Sequence, residues 1–246
     1  MRIGLIADIH GNLLALEAVL SALGRDGVDD LICLGDVASL GPQPAEVIAR
    51  LRALGCPVVM GNTDAWLLST PATEHPDPDV RAFRRLNAWC AAQLSARELA
   101  AVESYPPSIA RSLGAAGTLL CFHGSPRSYY DVIEATTSDD ALHDMLGDAP
   151  ATIMAGGHTH VPMLRRYGDA RLVNPGSVGL PGTGAATPHN RDPSWAEYAV
   201  LSVLDDGVAI AFRRLPLDVD AMIERARACG MPEIAWWVGT WGHLER

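Results

Sequence analysis

Arg2-Ile3-Gly4-Leu5-Ile6-Ala7-Asp8-Ile9-His10-Gly11-Asn12 decides how the rest of the chain is read. The apolar run Ile3 to Ala7 reads as a buried strand, and it stops on an aspartate and a histidine two residues apart. Gly11-Asn12 then opens a helix with Leu13, Leu14, Leu16, Val19, Leu20 and Leu23 on a wide apolar face. Gly24 and Gly27 punctuate its end, and Asp30 to Leu34 supplies a second strand. Strand, helix and strand make a βαβ unit, so the two strands are expected to be parallel, with a right-handed crossover. Three later stretches also follow apolar runs: Gly35-Asp36, Gly61-Asn62 and Gly156-Gly157-His158-Thr159-His160. Together with Asp8 and His10 they offer hard oxygen and nitrogen donors and no thiolate, a set suited to first-row divalent cations. The expectation is a two-metal site at the carboxyl ends of several strands.

Composition narrows the partners. The 246 residues are 48% hydrophobic and 20% charged, ordinary for a globular α/β chain. A formal charge of −10 argues against a nucleic-acid polymer, whose binders usually carry a basic stripe. A small phosphorylated ligand stays open, because bound cations invert the local field. All 19 basic residues are Arg, which reads as genomic compositional bias. Five cysteines, at 33, 56, 90, 121 and 229, form no CxxC and fit a reducing compartment. The chain starts on a core strand without a leader pattern, and no apolar run approaches the ~18 residues of a membrane span. A cytoplasmic protein without membrane contact is expected.

Further along, Gly41 to Pro44 opens a helix to about Leu54, and Pro57 to Met60 reads as a third strand. From about 64 to 105 the pattern is helical: a short helix from Asp64 to Leu68, an amphipathic one from Asp79 to Leu94, and a capping box at Ser95-Ala96-Arg97-Glu98. This reads as an insertion that either roofs the site or covers a sheet edge. Hairpins follow at Ser108–Leu113 with Thr118–Phe122, Met163–Tyr167 with Arg171–Val173, and Trp195–Val203 with Val208–Leu215 around Asp205-Asp206-Gly207. Between them lie a helix at Ser138–Leu146 and a strand at Ala151–Ala155; Asp218–Cys229 is a last helix. Leu180 to Pro193 is a Gly/Pro-rich loop, expected to be mobile. The tail, about 231–246, holds three tryptophans and is expected to dock. No linker divides the chain, so 1–246 is read as a single domain.

Asp8-Ile9-His10, Gly35-Asp36, Gly61-Asn62, His123-Gly124 and Gly157-His158-Thr159-His160, in that order, resemble the calcineurin-like metallophosphoesterases. Asn174-Pro175-Gly176-Ser177 extends the likeness, and the compact HGSP, GHTH and NPGS forms are similar to the small bacterial and archaeal phosphodiesterase branch. The resemblance implies a four-layer αββα sandwich of two mixed sheets. It implies two divalent cations, Mn²⁺ or Fe favoured, with Mg²⁺, Zn²⁺, Ni²⁺ or Co²⁺ open. Asp8, His10 and His160 would hold the first, Asn62, His123 and His158 the second, with Asp36 bridging and a metal-bound water as nucleophile. Two such ions ~3.5–4 Å apart can clamp an in-line displacement at phosphorus. A phosphodiesterase acting on a small phosphoester or nucleotide is implied. A phosphomonoesterase or protein phosphatase, or a non-catalytic metal-binding scaffold like the family's retromer subunit, are the alternatives.

One position departs from the family pattern. Many members carry a histidine after the Asn, as an acid for the leaving group; here it is Thr63, whose hydroxyl is too weak an acid. Asp64 reads as a helix cap, or as a group orienting a ligand. Asn62 and Arg127 are candidate substrate contacts, Arg127 through its guanidinium fork. Asn174 and Ser177 read as turn-shaping. His189, Asn190 and Arg191 read as surface loop that could touch substrate, and Tyr129 and Tyr130 as base-stacking or core.

Overall fold

The computed structural model describes residues 1–69, 72–148, 150–182, 191–205 and 207–241. Strand β1 (Arg2–Ile6), helix α1 (Leu13–Arg25) and strand β2 (Asp30–Cys33) form the opening unit, with β1 and β2 parallel and Ile3 opposite Asp30. Asn12 caps α1 by accepting from the Ala15 N–H at 3.0 Å. Helix α2 (Pro44–Ala53) begins on a proline, whose missing N–H costs nothing in a first turn. The stretch from Pro57 to Met60 is not a strand but a single bridge from Val58 to Cys33. Pro57 has no N–H to give, and beyond Val59, which donates to Cys33, the next donor in line, the Gly61 N–H, goes to Asp64 Oδ2, so the ladder extends neither way.

Helices α3 (Asn62–Leu68), α4 (Pro78–Ala92) and α5 (Ala96–Glu103) follow with no strand among them. Then come β3 (Ser108–Ser112), β4 (Thr118–Phe122), α6 (Asp139–Leu146), β5 (Ile153–Ala155), β6 (Met163–Tyr167) and β7 (Ala170–Asn174). The chain continues through β8 (Trp195–Leu204), β9 (Gly207–Pro216), α7 (Val219–Ala228) and α8 (Ile234–Gly239). One sheet has the order β2-β1-β8-β9 and the other β3-β4-β5-β7-β6; both mix parallel and antiparallel pairs.

Strand alternation sets the layers. Ile3, Leu5 and Ala7 face one way and join Leu119, Cys121, Ile153, Ala155 and Val173 in the core between the sheets. Ile6 points the other way, into the core shared with α1, α2 and α4. On the second sheet Phe122, Met154 and Leu172 turn outward onto Leu142 and Leu146 of α6. Helices, sheet, sheet and helix make a four-layer αββα sandwich. In the tail, Trp237 and Trp241 are buried in the first helical core, their rings 4.7 Å apart edge to face. Asp206 of the last hairpin, residues 183–190 of the Gly/Pro-rich loop and residues 242–246 of the tail lie outside the described residues. Among the described residues no helix is long and apolar enough to cross a membrane.

Candidate metal centre

Loops leaving the ends of both sheets meet at one edge. The loop after β1 is laced to the loop after β2: the Asp8 N–H donates to Gly35, His10 to Asp36 and Gly11 to Val37. The Gly157 N–H donates to His123, tying the loop after β5 to the end of β4. The turn after β7 closes the ring, with Ser177 Oγ donating to the Asp8 carbonyl at 2.7 Å and Asn174 Nδ2 donating to Gly157. Asn174 and Ser177 therefore act on backbone, and hold the two loops together.

The lacing imposes an unusual backbone. Asp8, His10, Asp36, His158 and His160 all have positive φ, between 48° and 70°. That conformation is costly for a residue with a Cβ, and such residues concentrate at functional sites. No sequence signal announces it.

Asp8, His10, Asp36 and His160 bring their ligand atoms within 4.8 Å of one another, and Asp36, His123 and His158 do the same. Asp36 belongs to both groups: Oδ2 lies 3.7 Å from His10 Nε2, and Oδ1 lies 3.5 Å from His123 Nε2. Asn62 joins the second group, its Oδ1 3.0 Å from His123 Nε2. All seven predicted donors thus converge, and all but His158, which is half-buried, are buried.

The donor atoms fit a cation better than they fit one another. The Nδ1 atoms of His10, His123 and His160 face the carbonyls of Ser39, Leu34 and Leu180, so each ring, when neutral, donates there and turns a lone pair at Nε2 inward. His10 Nε2 and His160 Nε2 then stand 3.2 Å apart, two acceptors with no proton between them. Asp8 Oδ1, wholly buried and 3.3 Å from His160 Nε2, has no hydrogen-bond donor. A positive ion among these atoms satisfies all three.

Burial governs the titration of the centre. It pushes Asp8 up, and it brings His10 and His158 down to about 4. Burial also works against ionisation of Asp36, but the charge and hydrogen bond of His123 outweigh it and hold Asp36 well below the usual carboxylate range. The same pairing lifts His123 to about 9 despite its burial.

Asp64 does more than cap. It accepts the N–H of Gly61 at 3.1 Å, and also those of Asp36 at 2.8 Å and Val37 at 2.9 Å, fixing the backbone beneath the shared carboxylate. Burial, then the charge of Asp36, raises it to about 7. The sequence pointed to the cap; the long-range half of the role carries no local signal. Arg127 is paired with Asp131 at 2.8 Å and is absent from the wall of the cleft above the centre. Arg191 does line that cleft, while His189 and Asn190 lie outside the described residues.

Residues 1–203 match the model of the calcineurin-like phosphoesterase superfamily domain. The chain belongs to that superfamily. A metallophosphoesterase from Sphaerobacter thermophilus is 29% identical, with a TM-score of 0.73, and the likeness covers 98% of this chain and 99% of that one. The uncharacterized protein MJ0912 of Methanocaldococcus jannaschii is 26% identical over 96% of this chain and 95% of its own length. Phosphodiesterase YfcE of Escherichia coli is 27% identical over 75% of this chain and 83% of its own.

Proposed function

We propose that this phosphoesterase is a dinuclear, metal-dependent phosphodiesterase acting on a small phosphoester. The observation that carries the reading is Asp36, whose two carboxylate oxygens face two different donor groups. Asp8, His10 and His160 would hold one ion, Asn62, His123 and His158 the other, and Asp36 both. When bound, two Mn²⁺ or Fe ions would acidify a water and neutralise charge on the phosphoryl oxygens.

The chain's own residues supply the rest. Backbone carbonyls fix the tautomers of three histidines, and Asp64 pins the segment that carries Asp36. Thr63 donates its N–H to Asp36 Oδ1 at 2.9 Å and offers no useful acid to a leaving group. That favours substrates whose leaving group departs as a stable anion. The name of YfcE supports a diester, and the cleft's volume of about 640 Å³ supports a small molecule.

The test is hydrolysis of bis-p-nitrophenyl phosphate by metal-stripped and Mn²⁺-reloaded protein, with metal content measured in parallel. Turnover is expected only after reloading, with two ions per chain, and Asp36→Ala should abolish both. Absence of metal-dependent turnover on any phosphoester would refute the enzyme reading, and a single ion per chain would refute the dinuclear one.

A further inference from the structure

The cleft above the centre does not stop at the donors. It has a volume of about 640 Å³, in the range of small-molecule sites, and its lining runs from Asp36 and His158 to Trp66, Phe83 and Trp236. Its far wall comes from three separate parts of the chain: Trp66 of α3, Val80 and Phe83 of α4, and Trp236 of α8. The Arg85–Glu233 pair, 2.7 Å, ties α4 to α8, so the wall is one built unit.

The chemistry of that wall is specific. Trp66 Nε1 donates to Tyr130 Oη at 2.9 Å, and Trp236 Nε1 donates to Asp79 Oδ1 at 3.1 Å. Each indole has spent its only donor on the protein and has ring surface left to offer. Phe83 stands edge-on to Trp66 with centroids 5.2 Å apart, an arrangement aromatic rings adopt readily with a further ring. At the seam between this wall and the donors sits Thr63, whose buried hydroxyl has no partner on the protein. Arg191 lines the same cleft and feels the charges of Asp8 and Asp36. Its backbone bridges Gly182 and Trp241, so the tail that supplies Trp236 also positions the cation.

We infer that the cleft takes a phosphoester whose organic group is a planar aromatic ring, seated against Trp66, Phe83 and Trp236. The phosphoryl group points to Asp36, with Arg191 beside it. The inference rests on the phosphoesterase reading for the phosphoryl end and on the wall alone for the ring. A polar or purely aliphatic ester group would leave the three ring surfaces without matching contact.

Calorimetry on the Mn²⁺-loaded protein with phenylphosphonate and methylphosphonate separates the two ends, because the head group is shared and neither is hydrolysed. Phenylphosphonate is expected to bind at least about tenfold more tightly. Phe83→Ala and Trp66→Ala, both at half-buried positions, should reduce the ratio towards one and leave methylphosphonate affinity unchanged. Equal affinities in the unmodified protein would overturn the inference, and so would a preference that survives both substitutions. The two readings fail apart. A ring preference without metal-dependent turnover of any phosphoester keeps the subsite and removes the enzyme. Turnover with equal phosphonate affinities does the reverse.

Discussion

Gly61→Ala tests whether backbone proximity sets the position of the shared carboxylate. Gly61 has an extended φ of −96°, open to any residue, so conformation alone does not demand glycine. Space does. A Cβ built on Gly61 falls 2.1 Å from Asp36 Oδ1 and 2.4 Å from the Asp36 nitrogen, where contacts under 3.0 Å essentially do not occur. Asp36 must retreat by about 0.9 Å along the first of these lines alone. That retreat strains the bonds from Thr63 N–H to Asp36 and from Asp36 N–H to Asp64.

Overpacking costs about 1–3 kcal/mol and each of the two weakened hydrogen bonds about 1 kcal/mol, so a loss of roughly 3–5 kcal/mol is expected. In a chain of this size that lowers the melting temperature by roughly 6–20 °C, and the protein still folds. The effect on chemistry is larger, since a misplacement of about 1 Å can cost about a hundredfold in rate. The assay is thermal melting, metal content and kcat/KM on bis-p-nitrophenyl phosphate at saturating Mn²⁺. Gly24→Ala is the control: it lies inside α1 with nothing within 4 Å of its Cβ, and should gain about 0.5–1 kcal/mol with activity unchanged. If Gly61→Ala keeps its metal and its rate within twofold, Asp36 is not held by this approach and the argument fails.

Four further outcomes are expected. Mn²⁺ uptake by metal-free protein at pH 8 should release about one proton, read by calorimetry in buffers of different ionisation enthalpy, because His123, raised to about 9, must lose its proton to bind. By the same shift, the metal-free protein gains stability from His123 that is complete below the unfolded value near 6.5 and lost as pH rises through about 9; denaturant midpoints that rise over that interval would contradict it. Mn²⁺ at about a thousand times its dissociation constant should stabilise the fold by about 4 kcal/mol for each ion bound, and an unchanged melting temperature would mean that no cation binds. Thr63→His should raise rates on poor leaving groups, up to about the hundredfold that a positioned acid supplies; an equal or lower rate refutes the account of Thr63. Trp237→Ala, at a position 2% exposed in the helical core, should cost about 3–5 kcal/mol in denaturant unfolding, and a loss below 1 kcal/mol would deny the tail a part in that core.

What the sequence disclosed follows from the range over which each signal acts. The β1–α1–β2 unit was legible because periodicity and the Asn12 cap are local, and the donors were legible because each ends an apolar run. Pro57 misled in the opposite sense: its run looks like a strand, but a residue without an N–H sits where a ladder would continue. Arg127 read as a candidate phosphate contact, and Arg191 as surface loop that could touch substrate. Only the fold distinguishes the one spent on Asp131 from the one that lines the cleft. The aromatic wall was hidden because Trp66, Phe83 and Trp236 come together through α3, α4 and α8, which no sequence spacing relates.

The backbone of the centre carries the deepest lesson. Five donors held at positive φ cost on the order of 1–2 kcal/mol each, a sum comparable to the whole net stability of a domain. Hydrogen bonds between the β1 and β2 loops and the Ser177 and Asn174 contacts hold those dihedrals and offset part of that cost. With those dihedrals Asp8, His10, Asp36, His158 and His160 converge on one small volume from loops of two different sheets. The strain accompanies that convergence, and a bound cation would give a cluster of acceptors a stabilising outcome instead of mutual repulsion.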